Sequence, residues 1–437
     1  MSVTGRPLVL VALAALVAGV AIARGAHDGT PRFEVLAHVD PGDVYAGDVY
    51  AHRDHAYLSS HRARRSCPAQ GVRVYDLRNP RRPKLVSRFG SVTGTWTEKT
   101  IVKHVTTESF TGDLAVISFQ GCTLSAFRGF GLWDVTNPRR PRRLALVPTD
   151  PRGSHEIWLG AVGNRAFVYT AIISSEIRSS PDYDAARHTA TIPGDADFRI
   201  FDVSDPAKPA KVGEWGAWRS LGVHPNDGLG EGRMRQNLVH SVITNRAGTR
   251  AYLSYWDLGT VILDISTPAR PRYLGRTKFE PGEVGNAHSA ALGRNETLLL
   301  QTHETDGGIP VLFDVSNPAA PRRLSEFALS PQLLRQGRRG LDFDRVSGFD
   351  LSDSVHDPKL LGSRAYFSWY RQGVVAADVA NPARPRLLAR FLPPLARDRE
   401  ELLCPDQPCR AVWGVFVTPR YVLASDMVSG LWVLRLR

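Results

Sequence analysis

The sequence lacks the local motifs that identify the common enzyme classes. It contains no Gly-x-Ser-x-Gly elbow, phosphate-binding loop or dinucleotide fingerprint in a usable context. A nucleic-acid-binding motif is absent too, although the formal net charge is +12. Most of this charge is arginine, much of it in predicted turns. A basic surface favours anionic lipid or cell-wall polymer, and a compositional bias toward arginine is the alternative; nucleic acid is not an expected partner.

Cysteine is scarce, and the four cysteines present are not spaced as a zinc site. Cys404 and Cys409 bracket a short Pro-containing loop. Cys67 and Cys122 occupy like places in the first two of the repeats described below. An even count suits an oxidising compartment, so we expect two disulfides, Cys67–Cys122 and Cys404–Cys409.

Long apolar runs are also missing after the first 26 residues. Residues 8–22 form an apolar stretch that follows Arg6 and ends within Ala21-Ile22-Ala23, a small-x-small cleavage pattern. The run is short for a membrane span of about 20 residues. We therefore predict that residues 1–26 are a signal peptide, with an uncleaved anchor as the alternative and the only expected membrane attachment. The protein is then secreted or held at the cell surface.

Helix signals are weak, and a turn motif recurs in their place. An apolar β-branched run ends at an aspartate, and two prolines three residues apart follow it, as in residues 259–271. Six copies lie roughly 50 to 70 residues apart, which is typical of propeller blades or long solenoid units. The six aspartates are Asp76, Asp134, Asp202, Asp264, Asp314 and Asp378.

Each copy predicts a hairpin between two strands. The carboxylate accepts a backbone N–H about two residues on, and proline presets the turn. The second proline excludes a helix and is tolerated at the start of an edge strand. The aspartates and prolines of this motif are thus structural.

Two further strands precede each aspartate, which gives four strands per unit, as in a propeller blade. The last unit, which ends at Arg437, has no fourth strand. Residues 32–39 resemble the missing one. We predict an all-β, seven-bladed β-propeller formed by residues 27–437, closed by pairing of the N-terminal strand with the C-terminal blade.

The repeats resemble a known family. The phrases around Val261-Ile-Leu-Asp-Ile-Ser, Leu312-Phe-Asp-Val-Ser-Asn-Pro and Leu132-Trp-Asp-Val-Thr-Asn-Pro are similar to those of LVIVD-repeat proteins. The resemblance extends over nearly the whole mature chain and implies an exported or surface propeller. The family carries no settled activity, so the resemblance implies no catalytic residues.

Histidine opens five of the predicted inner strands: His104, His155, His240, His288 and His356. Inner strands line the central channel of a propeller, so these side chains are expected to form a ring. Imidazole is a common ligand of copper and zinc. A structural role, in which each ring bonds the carbonyl of a neighbouring blade, is the alternative.

A second polar set follows the ends of the aromatic strands. We expect six of these residues at the same channel mouth: His61, Trp256, His303, Glu304, Tyr370 and Asp426. The Asp-Pro turns are expected at that same end, near the rim. Insertions at residues 172–197, 219–237 and 330–353 depart from the repeat, and long loops on a rigid scaffold often carry binding residues.

These observations leave two functions open, and a purely structural surface protein is hard to separate from the first of them. The first is an exported binding module for an unidentified protein or glycan. The second is a metal-dependent oxidase or hydrolase that uses the channel-mouth histidines with copper or zinc. Calcium is a weaker candidate, at the acidic loop that contains Asp342, Asp344, Asp350 and Asp353.

Overall fold

The computed structural model describes residues 31–42, 45–61, 70–123, 125–226, 236–305, 307–339, 353–399, 403–404 and 407–437. The predicted signal peptide lies outside them, and so do Cys67 and the acidic residues Asp342, Asp344 and Asp350. Within these ranges, no helix combines the length and hydropathy that a bilayer crossing requires.

Seven antiparallel sheets form a ring, and each of them is one blade of a seven-bladed β-propeller. The first blade consists of β2 (Ala46–His52), β3 (His55–Ser60), β4 (Val72–Asp76) and β5 (Lys84–Phe89). The second consists of β7 (Thr100–Thr106), β8 (Thr111–Gly121), β9 (Gly129–Asp134) and β10 (Arg142–Pro148), with β6 (Thr95–Trp96) also paired to β8. The third consists of β11 (Glu156–Val162), β12 (Arg165–Ala171), β13 (Phe198–Asp202) and β14 (Ala210–Trp215).

The remaining blades repeat this order. The fourth contains β15 (Ser241–Thr244), β16 (Arg250–Ser254), β17 (Thr260–Asp264) and β18 (Arg272–Arg276). The fifth contains β19 (Ala287–Gly293), β20 (Leu298–His303), β21 (Val311–Asp314) and β22 (Arg322–Glu326). The sixth contains β23 (Asp357–Leu361), β24 (Arg364–Trp369), β25 (Gly373–Asp378) and β26 (Arg386–Phe391). The seventh contains β29 (Val412–Val417), β30 (Val422–Asp426), β31 (Gly430–Leu436) and β1 (Phe33–Val39).

The burial of each strand follows its place in the blade. The second and third strands are buried on both faces and are almost continuously apolar, as in β17. The outer strands are half-exposed, and β18 begins with two exposed residues. Apolar side chains from neighbouring blades pack together, for example Phe198 and Ile200 of β13 against Leu253 of β16. The hydrophobic core is therefore a set of layers between blades.

The ring closes as the sequence predicts. Strand β1 lies antiparallel to β31, with Phe33 opposite Leu436 and Val39 opposite Leu431. The N–H of Arg437 also donates to the carbonyl of Arg32 at 2.9 Å. The last blade thus receives its fourth strand from the other end of the chain.

The Asp-Pro turns have the predicted local structure, but they lie at the opposite end of the blade from the one we expected. In the fourth blade, Asp264 Oδ1 accepts the N–H of Ser266 at 2.9 Å, and the other five copies repeat this bond. Asp264 pairs with Arg250, the first residue of β16, whereas the channel-mouth residues follow its last residue. Strands alternate in direction, so the turn between the third and fourth strands cannot share an end with the start of the first strand.

The insertions contribute three short helices, α1 (Ser175–Arg178), α2 (Ala217–Leu221) and α3 (Pro331–Arg338). The carboxylate of Glu176 accepts the N–H groups of Trp218 and Arg219 at 2.9 Å, which ties α1 to the start of α2. Ser330 caps α3, and Pro331 follows at its first position.

A small hairpin, β27 (Ala396–Arg397) and β28 (Pro408–Cys409), accompanies the disulfide Cys404–Cys409. The Cα atoms of this pair lie 6.2 Å apart, and the predicted bond is confirmed. Because Cys67 lies outside the described residues, the Cys67–Cys122 bond stays a prediction.

Ring closure gives a testable prediction. Deletion of residues 31–39 leaves β31 as an unpaired apolar edge strand, which is a template for intermolecular pairing. We expect the truncated protein to elute from size-exclusion chromatography as aggregates. The control is Glu34→Gln, which removes the ion pairs of Glu34 with Arg81 and Arg437 but keeps the strand. It should elute as the unaltered protein does; a folded deletion variant that elutes at that same volume would contradict the closure mechanism.

Candidate functional site

Four of the five predicted histidines lie together at one mouth of the channel. His155, His240 and His356 immediately precede β11, β15 and β23, and His288 is the second residue of β19. Their ring centroids lie 4.3, 4.1 and 4.2 Å apart in the order of the chain. We call this group the histidine arc. The blades are arranged around one central axis, so equivalent residues of successive blades lie next to one another around the channel.

Hydrogen bonds between blades orient the imidazoles. His288 Nδ1 donates to the carbonyl oxygen of His356 at 2.8 Å, and His356 Nδ1 donates to that of Trp413 at 2.7 Å. These bonds fix the tautomer, because the Nε2 atom of each neutral ring then carries the lone pair. The carbonyl bonding expected for a structural histidine is therefore present. It leaves the second nitrogen of each ring available as a metal ligand.

Side-chain atoms of the kinds that bind metal ions lie close together beside the arc. One ligand atom each of His240, His288 and Glu304 lies within 4.8 Å of the others. The Nε2 atoms of His288 and His356 are buried without a hydrogen-bond partner. His288 Nε2 is 3.4 Å from Glu304 Oε2. Buried nitrogens without a partner are costly, and a bound cation would satisfy them.

His155 continues the arc by a direct contact with the next ring. Its Nε2 atom lies 3.0 Å from His240 Nε2, and its Nδ1 atom lies 2.8 Å from Gln120 Oε1. An amide oxygen only accepts, so His155 Nδ1 is the donor. His240 Nε2 is then the donor to His155 Nε2, so the lone pair that His240 can offer a metal ion is on Nδ1, which is buried without a hydrogen-bond partner among the described residues.

Burial keeps the arc uncharged. The pKa values of His155, His240, His288 and His356 are all held well below the usual value, chiefly by burial and next by neighbouring positive groups and imidazoles. Neutral imidazole is the form that binds a metal. The arc is therefore in its ligand form at neutral pH.

Glu304 supplies a carboxylate beside the arc. It accepts a hydrogen bond from the hydroxyl of Tyr370. Burial raises the pKa of Glu304 to about 7, although the bond from Tyr370 acts in the other direction. This carboxyl therefore has both protonation states accessible near neutral pH.

Glu98 occupies the position of the second blade that corresponds to the histidines. The N–H of Lys99 donates to Ser118 Oγ, as the N–H of Asp357 does to Ser368 Oγ, so Glu98 is the counterpart of His356. Glu98 Oε2 lies 3.3 Å from His155 Nδ1. Burial raises the pKa of Glu98 well above its usual value. Sequence reasoning missed this residue because Thr-Glu-Lys-Thr is polar and reads as an exposed loop.

His104 does not join the arc. The expectation that it begins an inner strand is wrong, because β7 begins at Thr100 and His104 pairs with Asp113 at its far end. Its Nδ1 atom lies 2.9 Å from Asp113 Oδ1, and its side chain is half-exposed. Since the other end of β8 carries Gln120, which bonds His155, His104 lies at the opposite end of the blade.

The second polar set divides between two environments. His61, Trp256, Glu304 and Tyr370 line a cavity of about 380 Å³ at the mouth, which we call the mouth cavity. Glu98, His155, His240 and His288 line it too, and three tryptophans contribute aromatic walls: Trp96, Trp256 and Trp413.

His303 and Asp426 do not line the mouth cavity. His303 is buried against Phe279 and next to Gln301, and burial lowers its pKa to about 4. Asp426 accepts the N–H groups of Ala411, Val428 and Ser429, which is a turn-capping role. His303 ends β20 and Glu304 follows it directly. Successive residues of extended backbone face opposite ways, so His303 points away from the side that Glu304 occupies.

A charged layer lies in the channel next to the arc. Lys99 Nζ lies 2.6 Å from Glu156 Oε2 and 3.6 Å from Asp48 Oδ2. Asp357 also acts on the pKa of Lys99, which is raised well above its usual value although burial opposes this. Lys99 thus compensates several buried carboxylates.

Comparison with known proteins supports the repeat assignment. The LVIVD repeat model matches residues 192–215 and 247–278, which confirms the resemblance inferred from the sequence. These segments include β13, β14, β17 and β18. The chain matches no curated protein.

The charged layer gives a stability prediction. Lys99→Met leaves buried carboxylates unpaired, and such a loss costs about 3–5 kcal/mol. The pKa of Glu156 is already raised to about 7, chiefly by burial, and Lys99 counteracts this. Without Lys99, the folded-state pKa rises further above the unfolded value, so the loss of stability grows as the pH rises.

We expect urea unfolding to show a larger destabilisation at pH 8 than at pH 5.5. Lys208→Met, which removes an exposed lysine 4.0 Å from Asp205, is the control and should change little at either pH. Equal losses for Lys99→Met at both values of pH would contradict the role assigned to Lys99.

Proposed function

We propose that the protein binds one transition-metal ion at the mouth of its channel and acts there as a metal-dependent enzyme on a small molecule. The supporting observation is the cluster of His240, His288 and Glu304, whose ligand atoms lie within 4.8 Å of one another. His356 Nε2, buried and without a hydrogen-bond partner, is the candidate fourth ligand.

The ligand types favour copper or zinc. Imidazole suits zinc, copper, iron and nickel, and a site with three imidazoles and one carboxylate is too rich in nitrogen for calcium or magnesium. The bonds from Nδ1 of His288 and His356 to backbone carbonyls are the outer contacts usual around metal-bound histidine, and they raise ligand basicity. They also reduce the conformational entropy that metal binding would otherwise cost.

The surroundings favour a small substrate. The mouth cavity holds about 380 Å³, which is within the range of small-molecule sites. A metal ion in the arc would act as a Lewis acid or activate a bound water. Glu98, at 3.3 Å from His155, is placed to exchange a proton at the edge of such a centre. Oxidase and hydrolase chemistry both remain within this proposal.

Export is part of the proposed setting. The disulfide Cys404–Cys409 suits an oxidising compartment, and residues 1–26 have the pattern of a secretory signal. The alternative role, a surface module that binds a protein or glycan, stays a prediction. It depends on the insertions, of which residues 227–235 and 340–352 lie outside the described residues.

The metal proposal is tested by loading. Protein stripped with a chelator is dialysed against Zn²⁺ or Cu²⁺ at pH 7.5, and bound metal is measured by elemental mass spectrometry. We expect one ion per chain. The double variant His240→Ala with His288→Ala should lose this ion because two ligands are absent.

His104→Ala is the matched control, since it removes a histidine at the opposite end of the channel. It should retain one ion per chain. Thermal unfolding should verify that the double variant folds. The proposal fails if the unaltered protein takes up no stoichiometric metal, or if the double variant takes up as much as the control.

A further inference from the structure

A second cavity lies at the other end of the channel. It holds about 840 Å³ and is lined by the inner strands β7, β11, β15, β19 and β23. We call it the basal cavity. Residues at the far ends of these strands line it, such as Val162 of β11 and Leu361 of β23. Lys99, Glu156 and Asp357 line its inner part, which places the charged layer between this cavity and the histidine arc.

The basal cavity contains a lysine without an acidic partner. Lys103 Nζ lies 4.0 Å from the ring centroid of Trp158. Burial lowers the pKa of Lys103 to about 8, and no carboxylate among the described residues counteracts it. The other two lysines of the cavity are paired, Lys99 with Glu156 and Lys359 with Asp357. Because the buried ammonium group of Lys103 has no carboxylate partner in the described part of the chain, an anion that binds in the cavity would stabilise its charged form.

The walls of the basal cavity are largely apolar. Ile243, Leu292 and Leu360 line it, and Trp158 is fixed by a hydrogen bond of 2.9 Å from Nε1 to Thr244 Oγ1. Inorganic anions do not benefit from such walls, whereas an aromatic or aliphatic body does. The chemistry that fits is an anionic head beside Lys103 and an apolar body against the strands.

We propose that the basal cavity binds an organic anion with an apolar body, and that Lys103 pairs with its acidic group. This site is separate from the metal centre and does not depend on it. The charge on the ligand determines its orientation, with the acidic group toward β7 and the apolar part toward β15, β19 and β23.

The probe for the test is 1-anilinonaphthalene-8-sulfonate, which combines an aromatic body with a permanent negative charge and fluoresces in apolar sites. Titration of the full chain should show saturable binding. Lys103→Met removes the cation and keeps the apolar stem, so we expect affinity to fall about tenfold, as for the loss of a charged hydrogen bond. Lys103→Arg should retain most of the affinity.

Two further variants allow the proposal to be tested even if the Lys103→Met variant does not fold. Ala161 is exposed in the wall of the same cavity, and Ala161→Glu should also weaken binding by charge repulsion. Lys208→Met removes one positive charge outside the cavity and should bind like the unaltered protein. Unchanged affinity in a folded Lys103→Met or in Ala161→Glu would overturn the proposal, and so would an equal loss in Lys208→Met.

Discussion

The whole structure depends on the need of each blade to bury both of its faces. The second and third strands are apolar on both sides, as in β17 and β21, so a sheet on its own would leave two apolar faces in water. Stacking against the next blade removes this cost, and the ring must then close, because an open array exposes its end faces and edges. The closure of β1 on β31 meets this need. Ring closure also arranges the sequence repeats around one axis, so that equivalent residues of the blades face the same channel.

This constraint explains what the sequence could predict. The six Asp-Pro turns, together with a last set of strands that lacks one, predict seven blades, and the likeness of residues 32–39 to the strands after these turns predicts the closure. Both predictions depend on local turn chemistry and strand pattern. His155, His240, His288 and His356 were found because each lies where an inner strand starts. His104 was misplaced because the second blade has no histidine at that position. Glu98 occupies it instead, and His104 follows six residues later. The sequence pattern does not distinguish a strand that starts after Glu98 from one that starts at His104.

Other residues depend on strand direction and side-chain face, which residue type alone does not reveal. The first and third strands of a blade run in the same direction, because the chain reverses twice between them. The third strand therefore ends at the basal end, as the first does, and the Asp-Pro turn that follows it lies there too. His303 and Glu304 are neighbours in sequence, yet only Glu304 reaches the mouth cavity. Asp426 resembles the mouth residues by position, but three backbone N–H groups occupy its carboxylate. The role of a polar side chain in a blade is decided by which backbone groups lie within its reach.

The charged layer links the two ends of the channel in electrostatic terms. Lys99 and Lys359 face three carboxylates, Asp48, Glu156 and Asp357, so the layer keeps a net negative charge when all five groups are ionised. A cation at the histidine arc lies near this charge in a medium of low polarity, where attraction is stronger than in water. The same charge opposes the passage of an organic anion from the basal cavity toward the arc. The layer therefore favours a cation at the arc and would hold an anion in the outer part of the basal cavity, beside Lys103, so a ligand of either proposed site would enter from its own end of the channel.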